Sequence, residues 1–132
     1  MQKKYASIDI GLKRIGCAVS FMSGIVNPQE AILRKNRNQA SSDVDKFLNE
    51  WEIDILVIGY PSSSDDMIKR VNHFTKLLKF ENKIVFQNEN LSSQEAKELI
   101  MGEIKYKRDG RLDSIAAKII LERYLNRLDR QN

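Results

Sequence analysis

Cysteine and histidine are almost missing from this sequence. Cys17 and His73 are the only residues of their types among the 132 residues. One cysteine cannot close a disulfide within the chain, and one cysteine and one histidine are too few ligands for a zinc ion. We therefore exclude a disulfide scaffold and a structural zinc site, and we expect a reducing, cytoplasmic setting.

Long apolar runs are missing as well. Asp9 interrupts the apolar stretch near the N-terminus, so this stretch resembles neither a signal peptide nor a membrane anchor. No window approaches the roughly 18 apolar residues of a membrane-spanning helix. The sequence also contains neither of the glycine-rich nucleotide-binding motifs, Gly-x-x-x-x-Gly-Lys and Gly-x-Gly-x-x-Gly. We expect neither a membrane nor a nucleotide as a partner.

The remaining composition is that of a folded protein. Hydrophobic residues make up 42% and charged residues 30% of the chain, which is too apolar for intrinsic disorder. The length suits a single domain over residues 1–132, because no repeat or linker divides the chain. The net charge of +4 slightly favours a polyanionic partner such as nucleic acid.

The first third of the chain has the periodicity of β-strands. Residues 6–10 alternate apolar and polar side chains, a turn follows at 11–14, and residues 15–21 complete a hairpin. After a second turn at 22–24, residues 31–34 predict a third antiparallel strand.

Helices and buried strands alternate in the rest of the chain. The first helix is expected to begin at Ser42 or Asp43, and its apolar side consists of Val44, Phe47, Leu48 and Trp51. Residues 55–58 form an apolar run that ends at Gly59, which is typical of a strand buried on both faces. A loop over residues 60–65 leads to a second helix, whose apolar side consists of Met67, Ile68, Val71, Phe74, Leu77 and Leu78.

The C-terminal third predicts one more strand and two helices. The strand covers residues 83–87, a capping box of Ser92 and Glu95 starts a helix, and the last helix runs from about 112 to 128. The whole pattern predicts an α/β fold. Its mixed five-stranded sheet would have three antiparallel strands, then two crossover strands, and helices on its faces.

Three carboxylates are distinguished by their positions. Strand alternation places Asp9 on the face opposite Ile8 and Ile10, and aspartate is depleted in strands. Glu89 follows the carboxyl end of a strand, where sheets with crossover connections gather their ligands. Asp113 opens the last helix inside its apolar arc, near the directions of Ala116, Ala117, Ile120 and Tyr124.

Each carboxylate also has a purely structural explanation: a solvated strand face for Asp9, a polar loop for Glu89 and a favourable helix N-terminus for Asp113. If the fold brings the three together, their burial requires a cation. Oxygen ligands favour Mg²⁺ or Mn²⁺, and two such ions suit phosphodiester hydrolysis without a protein nucleophile. We predict one catalytic and metal-binding site made of these three residues.

Six basic residues near the expected site could bind the phosphates of a nucleic acid. Lys13 and Arg14 lie in the first turn, and the segment before Asp113 supplies Lys105, Lys107, Arg108 and Arg111. For any one of them, an ordinary solvated surface position is an equally good explanation.

Four blocks of the sequence, in this order, carry a resemblance to a known family: residues 9–18, 55–61, 89–93 and 112–117, the last followed by apolar pairs at 120–121 and 124–125. Together they resemble the YqgF-type nucleases, which are related to RuvC and are also called RuvX. Members are described as pre-16S rRNA nucleases or Holliday junction resolvases. The resemblance implies a ribonuclease-H-like fold and places the family's acidic residues on Asp9, Glu89 and Asp113.

The resemblance also implies a function. We expect a nuclease that processes the 5′ end of pre-16S rRNA in ribosome biogenesis, with pre-rRNA or a ribosomal precursor particle as its partner. We expect a monomer or a weak homodimer. One alternative is a resolvase of four-way DNA junctions, usually a dimer's task because two strands must be nicked symmetrically. The other is a non-catalytic nucleic-acid-binding module, which would have no physical need for three buried carboxylates.

The sequence departs from the family pattern at two places. Asn88 and Asn90 flank Glu89 where members usually have aspartate and arginine, and residues 62–65 replace a loop that usually contains asparagine and glycine. These departures concern the handling of substrate more than the metal site.

Overall fold

A mixed sheet with helices on both faces makes up the described part of the chain. The computed structural model describes residues 3–22, 24–89 and 114–131. In chain order, its elements are β1 (Tyr5–Ile10), β2 (Arg14–Met22), β3 (Ile25–Leu33), α1 (Arg37–Glu50), β4 (Ile55–Tyr60), α2 (Asp65–Leu77), β5 (Lys83–Asn88) and α3 (Ile115–Gln131). No helix within these ranges is long and apolar enough to cross a membrane.

The strand order is β3-β2-β1-β4-β5. The first three strands pair antiparallel, whereas β4 pairs parallel with both β1 and β5. This is the predicted five-stranded mixed sheet. Because β1, β4 and β5 run in the same direction, their carboxyl ends meet at one edge, which we call the carboxyl edge.

Side-chain alternation divides the core between the two faces of the sheet. On one face, Ile8 and Ile58 pack with Val44 of α1 and Phe74 of α2. On the other, which we call the α3 face, strand residues such as Val57 pack against the last helix. The buried residues of that helix in this cluster are Ala117, Ile120, Leu121 and Tyr124. The apolar side of the last helix, from which the position of Asp113 was argued, therefore faces the sheet.

The third strand is longer than predicted, and the prediction that it begins at residue 31 was wrong. β3 begins at Ile25 and includes Pro28, which lies opposite Ala18 of β2. Proline cannot donate a ladder hydrogen bond, so the sequence there resembles a loop. The strand tolerates it because β3 is at the edge of the sheet and pairs on one side among the described strands.

The first helix also begins earlier than predicted. Its N-cap is Asn36 rather than Ser42 or Asp43, because Asn36 and Gln39 form a capping box. The backbone N–H of Gln39 donates to Asn36 Oδ1 over 2.8 Å, and the N–H of Asn36 donates to Gln39 Oε1 over 3.3 Å. The polar first two turns of the helix concealed this start from an argument based on apolar periodicity.

The later elements fall largely where the sequence placed them. β5 is confirmed and runs one residue further than predicted, and α3 continues beyond residue 128. Its described start is Ile115. The helix predicted from Ser92 and residues 112–113 lie outside the described residues.

Replacing Asn36 by alanine should lower the free energy of unfolding by about 1 kcal/mol, because the first-turn N–H groups of α1 lose their acceptor. Urea denaturation would measure this change. Asn38→Ala is the matched control, since Asn38 is the second residue of α1 and the Ser41 hydroxyl bonds to its backbone carbonyl, which the substitution leaves in place. Equal stability of the two variants would contradict the capping role of Asn36.

Candidate active site

Asp9 and Glu89 are brought together at the carboxyl edge. Ile8 pairs with Ile58 in the β1–β4 register, so Asp9 lies beside Gly59. Gly59 in turn pairs with Gln87 of β5, two residues before Glu89. The N–H of Glu89 donates to the carbonyl of Tyr60 over 3.1 Å, and its carboxyl group is hydrogen-bonded to that of Asp9.

Gly59 makes this approach possible because it has no side chain. A Cβ atom at Gly59 would lie 2.8 Å from Glu89 Oε2 and 2.6 Å from Ile120 Cδ1 of α3. Both distances are shorter than Cβ contacts in folded proteins. The glycine therefore leaves the space in which the Glu89 side chain crosses β4 towards Asp9. Sequence reasoning treated Gly59 only as the end of a strand.

The two carboxyl groups hold their protons more tightly than isolated ones. Burial raises the pKa of Asp9. Burial, the charge of Asp9 and the hydrogen bond to Asp9 together raise the pKa of Glu89 to about 7. Below about pH 7 the pair therefore holds one proton between its two carboxyl groups, as expected for two acids that cannot both ionise at close range without a cation.

Gln87 adds a third oxygen on the same face of β5. Strand alternation puts Gln87 and Glu89 on the α3 face together with Val85. Gln87 Oε1 is buried and has no hydrogen-bond partner among the described residues. An unsatisfied buried acceptor beside two carboxyl groups fits a hard divalent cation, which prefers oxygen ligands. The sequence analysis did not identify this residue, although its alternation with Glu89 was a usable signal.

The third predicted acid, Asp113, lies outside the described residues, so the structure gives no position for it. In the described ranges, no group of three or more aspartate, glutamate, histidine and cysteine side chains surrounds one point. Cys17 offers no alternative chemistry: it is buried, and burial raises the pKa of its thiol to about 12. The described site therefore rests on Asp9 and Glu89, with Gln87 beside them.

Two buried serines hold the start of α3 against the strands that carry the site. The Ser7 hydroxyl donates to the carbonyl of Ala117 over 2.6 Å, and the N–H of Cys17 donates to Ser114 Oγ over 3.0 Å. Both serines are 0% exposed. Cys17 adjoins Gly16, which pairs with Asp9 across the hairpin. Neither serine was identified from the sequence, because small polar residues do not contribute to the apolar periodicity that reveals helices and strands.

The first hairpin turn presents two of the predicted phosphate-binding residues. Lys13, in the turn that follows β1, and Arg14, at the start of β2, are both exposed. The N–H of Gly11 donates to the Arg14 carbonyl over 3.0 Å, and Arg34 Nη1 donates to the Gly11 carbonyl over 3.0 Å. The other four predicted residues, Lys105, Lys107, Arg108 and Arg111, lie outside the described residues.

The two departures from the family pattern touch each other. The Ser62 hydroxyl, in the loop after β4, donates to Asn88 Oδ1 at the end of β5 over 3.3 Å. Ser64, two residues further along the loop, caps α2: its hydroxyl oxygen accepts a hydrogen bond from the N–H of Met67. The serine-rich loop is therefore bonded at both of its ends.

The raised pKa values predict a pH dependence of stability in metal-free buffer. The folded protein retains a proton that the unfolded chain releases between about pH 4.5 and 7, so the free energy of unfolding should fall as the pH rises through this window. We expect a loss of about 1 to 2 kcal/mol after allowance for solvent screening. Glu89→Gln should remove the part of this loss that comes from Glu89, leaving only the part that comes from the burial of Asp9, and should be more stable than wild type above this window.

Urea denaturation across this pH range, with a chelator present, would measure the effect. Glu81→Gln is the control, because Glu81 is an exposed carboxylate at the other end of β5. If Glu89→Gln and the wild type lost stability in parallel, the coupling of Asp9 and Glu89 would be refuted.

Solved structures with the same fold include two proteins in complex with Holliday junctions. The Fowlpox virus resolvase in complex with Holliday junction DNA matches with a TM-score of 0.64 and 14% identity, covering 95% of this chain and 98% of that one. Thermus thermophilus RuvC in complex with a Holliday junction substrate matches with a TM-score of 0.61 and 10% identity, over 97% of this chain and 96% of that one. The ribonuclease-H-like fold is confirmed.

Closer relatives are found among curated bacterial proteins. The chain is 56% identical to a protein of Sulfurovum sp. (strain NBC37-1), over 93% of this chain and 98% of the relative. It is 48% identical to a protein of Campylobacter lari, over 90% and 94% respectively. Both relatives are named as candidate pre-16S rRNA nucleases.

The family model described as "RuvX: Holliday junction resolvase" matches residues 3–127. That range includes both sides of the carboxyl edge and all four blocks on which the resemblance was based. The chain belongs to the RuvX family.

Proposed function

We propose that this protein is a metal-dependent nuclease whose centre consists of Asp9, Glu89 and Asp113, and that it processes the 5′ end of pre-16S rRNA. The observation that carries the proposal is the Asp9–Glu89 pair, held at the carboxyl edge across Gly59. The names of the most similar relatives support the choice of substrate.

The donor set of the site fits Mg²⁺ or Mn²⁺. Carboxylate oxygens of Asp9 and Glu89, with the unsatisfied Oε1 of Gln87 beside them, are the ligand type that these ions prefer. When bound, two such ions activate the attacking water and stabilise the leaving oxygen of a phosphodiester. Because metal ligands must be deprotonated, binding releases the proton that Asp9 and Glu89 share.

Asp113 is proposed as the third acid because of the residue that follows it. Ser114 is hydrogen-bonded to Cys17, the neighbour of Gly16, and Gly16 pairs with Asp9. The chain that leads out of Asp113 is therefore fixed beside the strand position of Asp9. The bond from Ser7 to Ala117 holds the first turn of α3 in the same place. These serines act as positioning residues.

The remaining tasks fall to the hairpin turn and the core around the site. Lys13 and Arg14 are proposed to hold phosphates of the nucleic acid, with one contact each to the backbone. Ile120 packs against Gly59, so an apolar side chain borders the carboxyl pair on the side of α3. The low polarity there strengthens the attraction between the carboxylates and a cation.

The wild type should cleave RNA carrying the 5′ leader of 16S rRNA in Mg²⁺ or Mn²⁺, and a chelator should stop the cleavage. Asp9→Asn and Asp113→Asn should each lower the rate at least roughly 10³-fold, since each removes a charged ligand. Gel analysis of end-labelled RNA would measure this. Asp129→Asn, on the exposed side of α3, is the control. Full activity of Asp9→Asn would refute the proposed mechanism.

Gly59→Ala should displace Glu89 and lower the cleavage rate roughly 100-fold, because small displacements of a reacting group are costly. It should also lower stability through the contact with Ile120 Cδ1. Ile120→Val removes that methyl group, so the double variant Gly59→Ala/Ile120→Val should regain stability without regaining activity. If the double variant regained both stability and activity, the methyl group added at position 59 would act by displacing α3 and not by displacing Glu89.

Cleavage of four-way DNA junctions is the second candidate, favoured by the description of the family model. Binding and cleavage of a synthetic junction and of the leader RNA should be compared at the same salt concentration, because phosphate contacts dominate the affinity for both. We expect the RNA to be cleaved faster. Symmetric nicking of the junction by a dimer, with no cleavage of the RNA, would favour the resolvase.

A further inference from the structure

A group of exposed basic residues lies beside the acidic centre, on the side of β2 and β3. Lys13 lies in the turn after β1 and Arg14 begins β2, while Lys35 lies between β3 and α1 and Arg37 begins α1. We call these four residues the basic corner. Sequence reasoning identified the first two but not Lys35 and Arg37, because they are distant in the chain from any predicted site residue.

Hydrogen bonds join the two segments of the basic corner. The N–H of Arg34 donates to the Lys13 carbonyl over 2.9 Å, and its guanidinium donates to the Gly11 carbonyl. Arg14 pairs with Leu33 in the β2–β3 register. The Arg34 guanidinium lies 5.5 Å above the centre of the Phe74 ring of α2. The corner is therefore fixed to the core before any ligand binds, which reduces the entropic cost of binding.

The basic corner differs from the opposite end of the sheet in how its charges are arranged. The first turn of α1, where Arg37 lies, contains no acidic residue, and its N-terminus favours anions. At the opposite end, a shallow cavity is lined by Asp45, Glu52, Asp54 and Glu81 together with Lys79, and Lys4 is paired with Glu52. The cations of that end are offset by acids, so a polyanion is attracted more strongly to the basic corner.

Two leucines are exposed within the basic corner. Leu12, at the tip of the hairpin turn, is 61% exposed, and Leu33, beside Arg14, is 56% exposed. Two separate leucines offer far less apolar area than a stable protein interface requires. Apolar side chains among phosphate-binding cations are used by nucleic-acid-binding proteins against unstacked bases. These features favour a nucleic acid over a protein as the occupant.

We propose that the basic corner binds the substrate strand on one side of the cleaved bond. The strand leaves the acidic centre over β2 and β3, its phosphates contact the four cations, and Leu12 contacts an unpaired base or its ribose. This inference rests on the proposed nuclease function, and it adds the direction in which the strand leaves the site.

The test measures binding of a fluorescein-labelled single-stranded RNA by fluorescence anisotropy at several KCl concentrations. The Asp9→Asn background prevents cleavage. Adding Lys35→Gln/Arg37→Gln should reduce the slope of log affinity against log salt by roughly 1.4, and affinity should fall roughly 25-fold at about 0.1 M KCl. The control Lys79→Gln/Lys83→Gln removes the same charge at the far end of the sheet and should leave the slope unchanged.

Leu12→Ala tests the apolar contact separately. Affinity should fall roughly 5-fold at constant salt, because one partly buried apolar contact is lost, while the salt slope stays that of the parent. Ile25→Ala is the matched control, since Ile25 is 53% exposed and lies at the other end of β3. Equal affinities of the two variants would remove Leu12 from the proposal.

The outcomes separate this inference from the proposed function. Suppose that wild type cleaves RNA and Asp9→Asn does not. If Lys35→Gln/Arg37→Gln then shows the same slope of log affinity against log salt as Lys79→Gln/Lys83→Gln, the inference is refuted and the proposed function stands. If wild type neither binds nor cleaves RNA, both fail. Arg37 also contacts His73, so Lys35→Gln/Arg37→Gln could melt at a lower temperature than its parent. In that case Lys35→Gln alone replaces it, and this single variant should give half of the change in salt slope.

Discussion

The structure depends on two carboxyl groups that are held closer together than their charges favour. Asp9 lies near the carboxyl end of the central strand β1, and Glu89 follows the edge strand β5, so the whole width of β4 separates their backbones. Only a residue without a side chain at Gly59 lets the two groups meet. The bonds of Ser7 and Ser114 then keep α3 over this face of the sheet. These small residues keep the two carboxyl groups close together, and a proton or a cation must then stabilise the pair.

A site of this kind makes the protein less stable than its fold allows. The energy needed to hold two acids together is supplied by the apolar packing of the core, and it is recovered when a cation enters. Proteins commonly keep such local conflicts at functional sites, where the rest of the sequence is consistent with the fold. In this chain the conflict is confined to the ends of β1 and β5, whereas Ile8 and Ile58, directly behind, are fully buried.

Periodicity in the sequence was sufficient to predict the order of the described elements and the type of the sheet. It failed where local chemistry outweighs period: Pro28 concealed the first part of the edge strand β3, and the capping box of Asn36 lies ahead of the first apolar residue of α1. Asp9 and Glu89 were identified one at a time from the sequence. The close approach of their carboxyl groups could not be predicted, because it depends on a contact across Gly59 between strands that are far apart in the chain. The roles of Ser7 and Gln87 likewise arise only when the faces of the sheet are known.

The contact between Ser62 and Asn88 joins the two places where the sequence departs from the family pattern. An amide at position 88 lowers the negative charge at the carboxyl edge and offers an oxygen to the Ser62 hydroxyl. The bond ties the loop after β4 to the end of β5, immediately before Glu89. The two positions therefore act as one unit, and a change at either one alters the link between the loop and the strand end that carries Glu89.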